Sequence, residues 1–179
     1  YNYGYNKIVT LNGNNITNRL KGNVFSIGGE YQNKIGEFHV EGKFGLNISG
    51  DFDGNYLSGS AGYNINDDIE ISAGININSR EANYNYLLYQ SDYVNYNWEN
   101  DFSNVETKQL SFNLVSKKLA NIEVDYSTIN NYTYFGLSES DSLVKPFQTA
   151  STINYFRVKL SKEIKWRNFA LNNTIRYQK

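Results

Sequence analysis

Cysteine and methionine are absent from this 179-residue chain, and proline and histidine occur once each. Without cysteine there is no disulfide framework, no thiol catalysis and no Cys-type zinc or iron–sulfur site. A single histidine, His39, excludes a multi-His metal centre and leaves most His-based triads without a base. Charge of one sign is also missing: 17 Lys and Arg stand against 18 Asp and Glu, for a formal net charge of -1. A nucleic-acid binder would need a basic excess. No stretch approaches the ~18 consecutive apolar residues of a membrane-spanning helix, and mean hydropathy is -0.59. What is abundant is asparagine, at 28, and tyrosine, at 16, both above ordinary usage. A mass of 20.6 kDa suits one domain.

Helical periodicity is missing too. Strict alternation recurs instead, the period of a strand with one apolar and one polar face. Phe38, Val40, Phe44, Leu46 and Ile48 oppose His39, Glu41, Lys43 and Asn47, with Glu37 read on the same polar face. Ile69, Ile71, Ala73, Ile75 and Ile77 oppose Glu70, Ser72, Asn76 and Asn78. Ile122, Val124 and Tyr126 oppose Asn121, Glu123 and Asp125, and Phe156, Val158 and Leu160 oppose Arg157 and Lys159. The pattern predicts about nine strands, at 4–12, 20–32, 36–49, 55–66, 68–80, 104–116, 119–134, 151–164 and 169–178. Short connections are expected at 33–34, 66–68, 117–118 and 165–168, and longer ones near 13–21, 50–55, 80–103 and 135–150. Short and long therefore alternate.

Strands of a soluble sandwich are usually ~5–6 residues, well below these runs. A small soluble barrel would turn the apolar face inward and would not need one family of turns short and the other long. A transmembrane barrel accounts for strand length, alternation and loop asymmetry together. The fold expected is all-β: an antiparallel up-and-down transmembrane β-barrel. The chain starts at Tyr1 without a leader-like stretch and ends inside an alternating run. Residues 1–179 are therefore read as one barrel segment of a larger barrel, incomplete at its C-terminal end. An odd strand count means either a miscount by one or a partial barrel, since bacterial single-chain barrels have even numbers, and the unfinished end favours the partial one.

The polar face supplies the pore-lining candidates: Glu37, His39, Glu41, Lys43, Glu70, Glu123, Asp125, Arg157, Lys159 and Arg176. Buried in a closed small barrel, each would cost several kcal/mol unless paired; a water-filled lumen removes that cost. Aromatics near strand ends, Tyr31, Tyr63, Tyr126, Tyr132, Tyr134, Trp166, Phe169 and Tyr177, fit interfacial girdles. The 80–103 segment carries Tyr84, Tyr86, Tyr89, Tyr93, Tyr96 and Trp98. Large rigid rings suit sugars and partner proteins, so this loop is the candidate partner or ligand loop. It could equally be an exposed hairpin extending two strands.

Other motifs carry little. Glu37, His39 and Glu41 sit at i, i+2, i+4 but read as lumen polars rather than a metal site. Residues 51–55 resemble the opening of an EF-hand loop but lack its twelfth-position Glu and its helices, and read as a tight turn. The triplets Asn15-Ile16-Thr17, Asn47-Ile48-Ser49 and Asn131-Tyr132-Thr133 match the glycosylation pattern, which has no such meaning in a Gram-negative host. No GxSxG motif or other catalytic constellation is present. The chain is expected to be no enzyme, with no cofactor and no metal.

Over about 119–178 the residues are more specific. Asn131-Tyr132-Thr133-Tyr134-Phe135, Pro146-Phe147-Gln148, the 158–164 strand, the 169–174 strand and Tyr177-Gln178 occur in this order. This series resembles the putative porin family of Bacteroidota outer membranes. Asn172 stands where the family pattern usually has Asp. The resemblance implies a bacterial outer-membrane barrel, longer members and transport, and brings no catalytic residue or cofactor.

The expected function is a porin-like barrel allowing passive diffusion of small hydrophilic solutes through a polar lumen. The alternative is a non-conducting barrel subunit or scaffold of a larger outer-membrane uptake or secretion complex. A soluble all-β adhesin or glycan-binding module is the third reading. Expected partners are outer-membrane lipid, small solutes and other outer-membrane proteins, and no nucleic acid.

Overall fold

A computed structural model describes residues 1–4, 10–11, 14–15, 19–93 and 95–179. Eight long strands form one antiparallel sheet: β1 (Val24–Ile35), β2 (Phe38–Gly50), β3 (Gly54–Asn66), β4 (Ile69–Arg80), β5 (Val105–Ser116), β6 (Asn121–Asn130), β7 (Ile153–Trp166) and β8 (Phe169–Gln178). Each pairs only with its chain neighbours within the sheet, so the topology is up-and-down, as the alternation predicts. The sheet is open, and β1 and β8 are its two edges. The ninth expected strand, at 4–12, falls mostly outside the described residues; Thr10–Leu11 there pairs with Asn14–Asn15, and Asn2–Tyr3 pairs with Leu20–Lys21.

Register keeps the two faces separate across the whole sheet. One apolar row runs from edge to edge through Ile175, Leu160, Ile122, Leu114, Ile71, Tyr63, Phe38 and Ile35. A polar row beside it runs through Gln178, Arg157, Asp125, Ser111, Gly74, Ser60, Glu41 and Gln32. A one-residue slip at any pairing would mix these rows. The apolar face is uncovered: Phe44, Leu110, Ile164 and Ile175 are all exposed.

All four short connections lie at one end of the sheet. Between β1 and β2 the turn is Gly36–Glu37, not 33–34 as expected. Gly36 takes φ +61 with open space around it, which favours glycine over any other residue there. Glu37 therefore sits in the turn rather than in β2. Asp67–Asp68 joins β3 to β4, where the Asp68 N–H donates to Asn66 Oδ1 at 2.9 Å. Arg167–Asn168 joins β7 to β8. The Lys117 N–H donates to the Asp68 carbonyl, and Lys118 pairs with Asp68, so two adjacent turns are tied together. That hydrogen bond from Lys118 holds the Asp68 carboxyl below its ordinary range.

The opposite end carries the long connections, and they are structured. Residues 135–150, expected as a loop, belong to a hairpin of Thr133–Leu137 with Val144–Gln148. The 80–103 segment is neither a strand extension nor loose chain. It holds a single helical turn, α1 (Tyr84–Leu87), and a two-residue ladder of Leu88–Tyr89 with Trp98–Glu99. Among the described residues, Ala82, Leu87, Leu88 and Trp98 are buried apolar side chains, and only Pro146 of the hairpin joins them. The core of this protein thus sits in a loop knot beyond the strands and not against the sheet.

Candidate functional site

Alternation in β2, β4, β6, β7 and β8 brings nine of the ten pore-lining candidates onto the polar face; Glu37 lies in the turn at its edge. They assemble into three clusters. On β1 and β2, Lys43 Nζ lies 2.8 Å from Glu41 and 3.3 Å from Glu30. Between β2 and β4, His39 Nε2 lies 3.6 Å from Glu70 Oε1, reaching across β3. It can do so because Gly62 stands between them; a Cβ there would meet His39 Nε2 at 2.2 Å.

The third cluster is the densest. Arg157 donates from Nε and Nη2 to the same Asp125 oxygen, at 2.8 and 2.5 Å. Gln109 donates to the other Asp125 oxygen at 3.3 Å. Lys159 donates to Glu123 at 2.7 Å, and Arg157 lies 3.9 Å from the second oxygen of Glu123. Arg176 stands opposite Lys159 in the register and, among the described residues, has no carboxylate partner. Between the charged ends the polar face is neutral and small: Ser58, Ser60, Ser72, Gly74, Asn76 and Ser111. Sequence spacing does not reveal this segregation, because it arises only when the strands are set side by side.

The girdle candidates are all exposed. Tyr63, Trp166 and Phe169 lie at the short-turn end, and Tyr177 ends β8. Tyr31 and Tyr126 sit within their strands, opposite Gly42 and Leu110. Tyr132 and Tyr134 lie beyond the sheet, by the outer hairpin, their rings 6.5 Å apart and within 5° of parallel.

The candidate partner loop divides into packed and open rings. Tyr84 stacks on Phe52 at 5.7 Å and meets Tyr1 and Tyr3. Tyr86 lies 4.8 Å from Phe135, joining the knot to the outer hairpin. Tyr89 stacks on Trp98 at 4.9 Å, and the Trp98 indole N–H donates to the Asn85 carbonyl at 3.0 Å. Only Tyr93 is wide open, at 75% exposure, with Tyr96 less so at 39%. Most of these rings therefore pack within the knot, in a segment that the sequence offered either as a binding loop or as an exposed hairpin. Conversely, sequence reasoning missed Tyr56, Asn78 and Arg80, which share a groove on the polar face near the long-loop end. Their signal was parity: the alternation that turns Leu57 to the apolar face turns Tyr56 to the polar one.

No group of three or more His, Asp or Glu side chains among the described residues could hold a metal. A family model described as putative porin matches residues 1–179, the whole chain and not only the 119–178 stretch. No curated protein and no solved structure matches it.

Proposed function

Since the chain belongs to the putative porin family, we propose that its sheet is part of an outer-membrane β-barrel whose polar face lines a channel for small hydrophilic solutes. The observation that carries this reading is the inverted polarity of the sheet. Ion-paired charges occupy one face, and the other, interrupted at Lys162 and Asn173, is largely apolar and uncovered. A soluble protein rarely leaves an apolar surface of that extent in water; lipid is the solvent that suits it.

Dimensions agree. Strands of ten to fourteen residues extend about 33–46 Å, which a tilt of about 40° projects to roughly 25–35 Å. The hydrocarbon core is ~30 Å thick. Lipid also forbids open edges, because unpaired N–H and C=O groups find no water there. β1 and β8 run in opposite directions, so the barrel closes either directly or through an even number of further strands. Mixed charges along the lumen give weak ion preference.

The test is single-channel conductance of the full-length protein, extracted from native outer membrane and reconstituted in planar bilayers. Discrete current steps are expected. Folded, inserted protein without steps overturns the channel and leaves a non-conducting subunit of an uptake or secretion complex.

A further inference from the structure

Near the long-loop end, the polar faces of β1 to β5 form a groove of about 640 Å³. Its lining is unlike the rest of the face. It contains no carboxylate and one cation, Arg80; beside glycines and two aliphatic residues, its functional groups are hydroxyls, amides and a ring, among them Ser26, Asn47, Tyr56, Asn78 and Thr107. Tyr56 leans over its cross-strand partner Gly45, where an added Cβ would meet the ring at 2.2 Å. The absence of a side chain at Gly45 thereby gives the ring its seat, and the residue remains 50% exposed.

The polar groups are also pre-set. Ser26 donates to Asn47 Oδ1 at 2.7 Å, and Asn47 donates to the Phe52 carbonyl at 3.1 Å. Asn78 donates to Asn76 at 3.3 Å and stands opposite Thr107 across the strand pair. The Arg80 guanidinium has no ion pair or hydrogen bond among the described residues.

An immobilised aromatic face beside amides, hydroxyls and a guanidinium is the chemistry that recognises a pyranose. The ring takes the C–H face of the sugar, and the amides and the guanidinium take its hydroxyls. We infer that this groove binds neutral oligosaccharides, so that sugars are the solute class the channel selects. Asp53 and Glu81 stand at the mouth beside Arg80 and disfavour carboxylated sugars. The inference rests on the channel reading for its transport meaning but not for binding itself.

Two measurements separate them. In planar bilayers, maltohexaose should interrupt the current at millimolar concentration, and a polyethylene glycol of equal mass should not. By calorimetry in a detergent without a sugar headgroup, the same hexasaccharide should give saturable heat. Tyr56→Ala should weaken both by about threefold to tenfold, and Tyr56→Phe, which keeps the ring, should not. Current steps without maltohexaose block or heat overturn the sugar site and leave the channel. Heat without current steps overturns the channel and leaves the sugar site. Tighter binding of hexagalacturonate than of maltohexaose overturns the neutral-sugar assignment.

Discussion

Glu81 follows directly on Arg80, and its carboxyl is raised above its ordinary value, first by burial and then by repulsion from Asp101 and Asp53. Its one compensating contact is the Ala82 N–H, at 3.3 Å. A carboxyl with a raised folded value is stabilised by protonation. The penalty it imposes is absent below the ordinary Glu value of about 4.3 and present in full above its raised value. Glu81→Gln keeps an acceptor for Ala82 and removes the charge. It should therefore raise the thermal midpoint of the outer loops at pH 7 and give no gain at pH 3, followed by tryptophan fluorescence of the two-Trp chain. An equal gain at both values would mean that packing, not charge, is responsible.

The loop knot is the element with an interior of its own. Leu88 is fully buried, against Gly4 and next along the chain to the Tyr89–Trp98 stack. Leu88→Ala should cost about 2–4 kcal/mol locally and open residues 82–100 to protease while the strands stay protected. If cleavage is unchanged, the knot does not fold around Leu88. This knot also marks where sequence reading ends. β4 is legible because Ile69 through Ile77 alternate without a break, and β7 and β8 alternate with one break each, at Lys162 and Asn173. Glycine placed the β1–β2 turn at Gly36, three residues beyond the Asn-Lys pair that suggested one. The outer hairpin escaped notice because Pro146 argues against a strand, yet it sits where its missing N–H costs nothing, on the outer side of a two-stranded ladder. The knot escaped because its contacts join Tyr1, Phe52, Tyr86 and Phe135 from four separate segments, and no local period encodes them. For the site, parity assigned each charge to a face, but only register shows that Asp125 meets Arg157 while Arg176 meets Lys159.

At the scale of the molecule, the two faces make opposite demands. Leu110 lies mid-strand on the apolar face, between Ile75 and Tyr126. Leu110→Arg should destabilise the protein in liposomes by about 2–4 kcal/mol, read by urea unfolding. The neighbouring Gln109→Arg, on the polar face, should cost far less. Equal costs would mean that the apolar face does not meet lipid.

Pairing restricted to chain neighbours has one more consequence. Removing any whole hairpin, a descending strand with the ascending one after it, lets the two flanking strands pair with each other antiparallel and leaves every other pairing and strand direction intact. The architecture is therefore modular in units of two strands. Over evolutionary time the width of the sheet can grow or shrink by duplication or loss of such units, without redesign of the strands that remain.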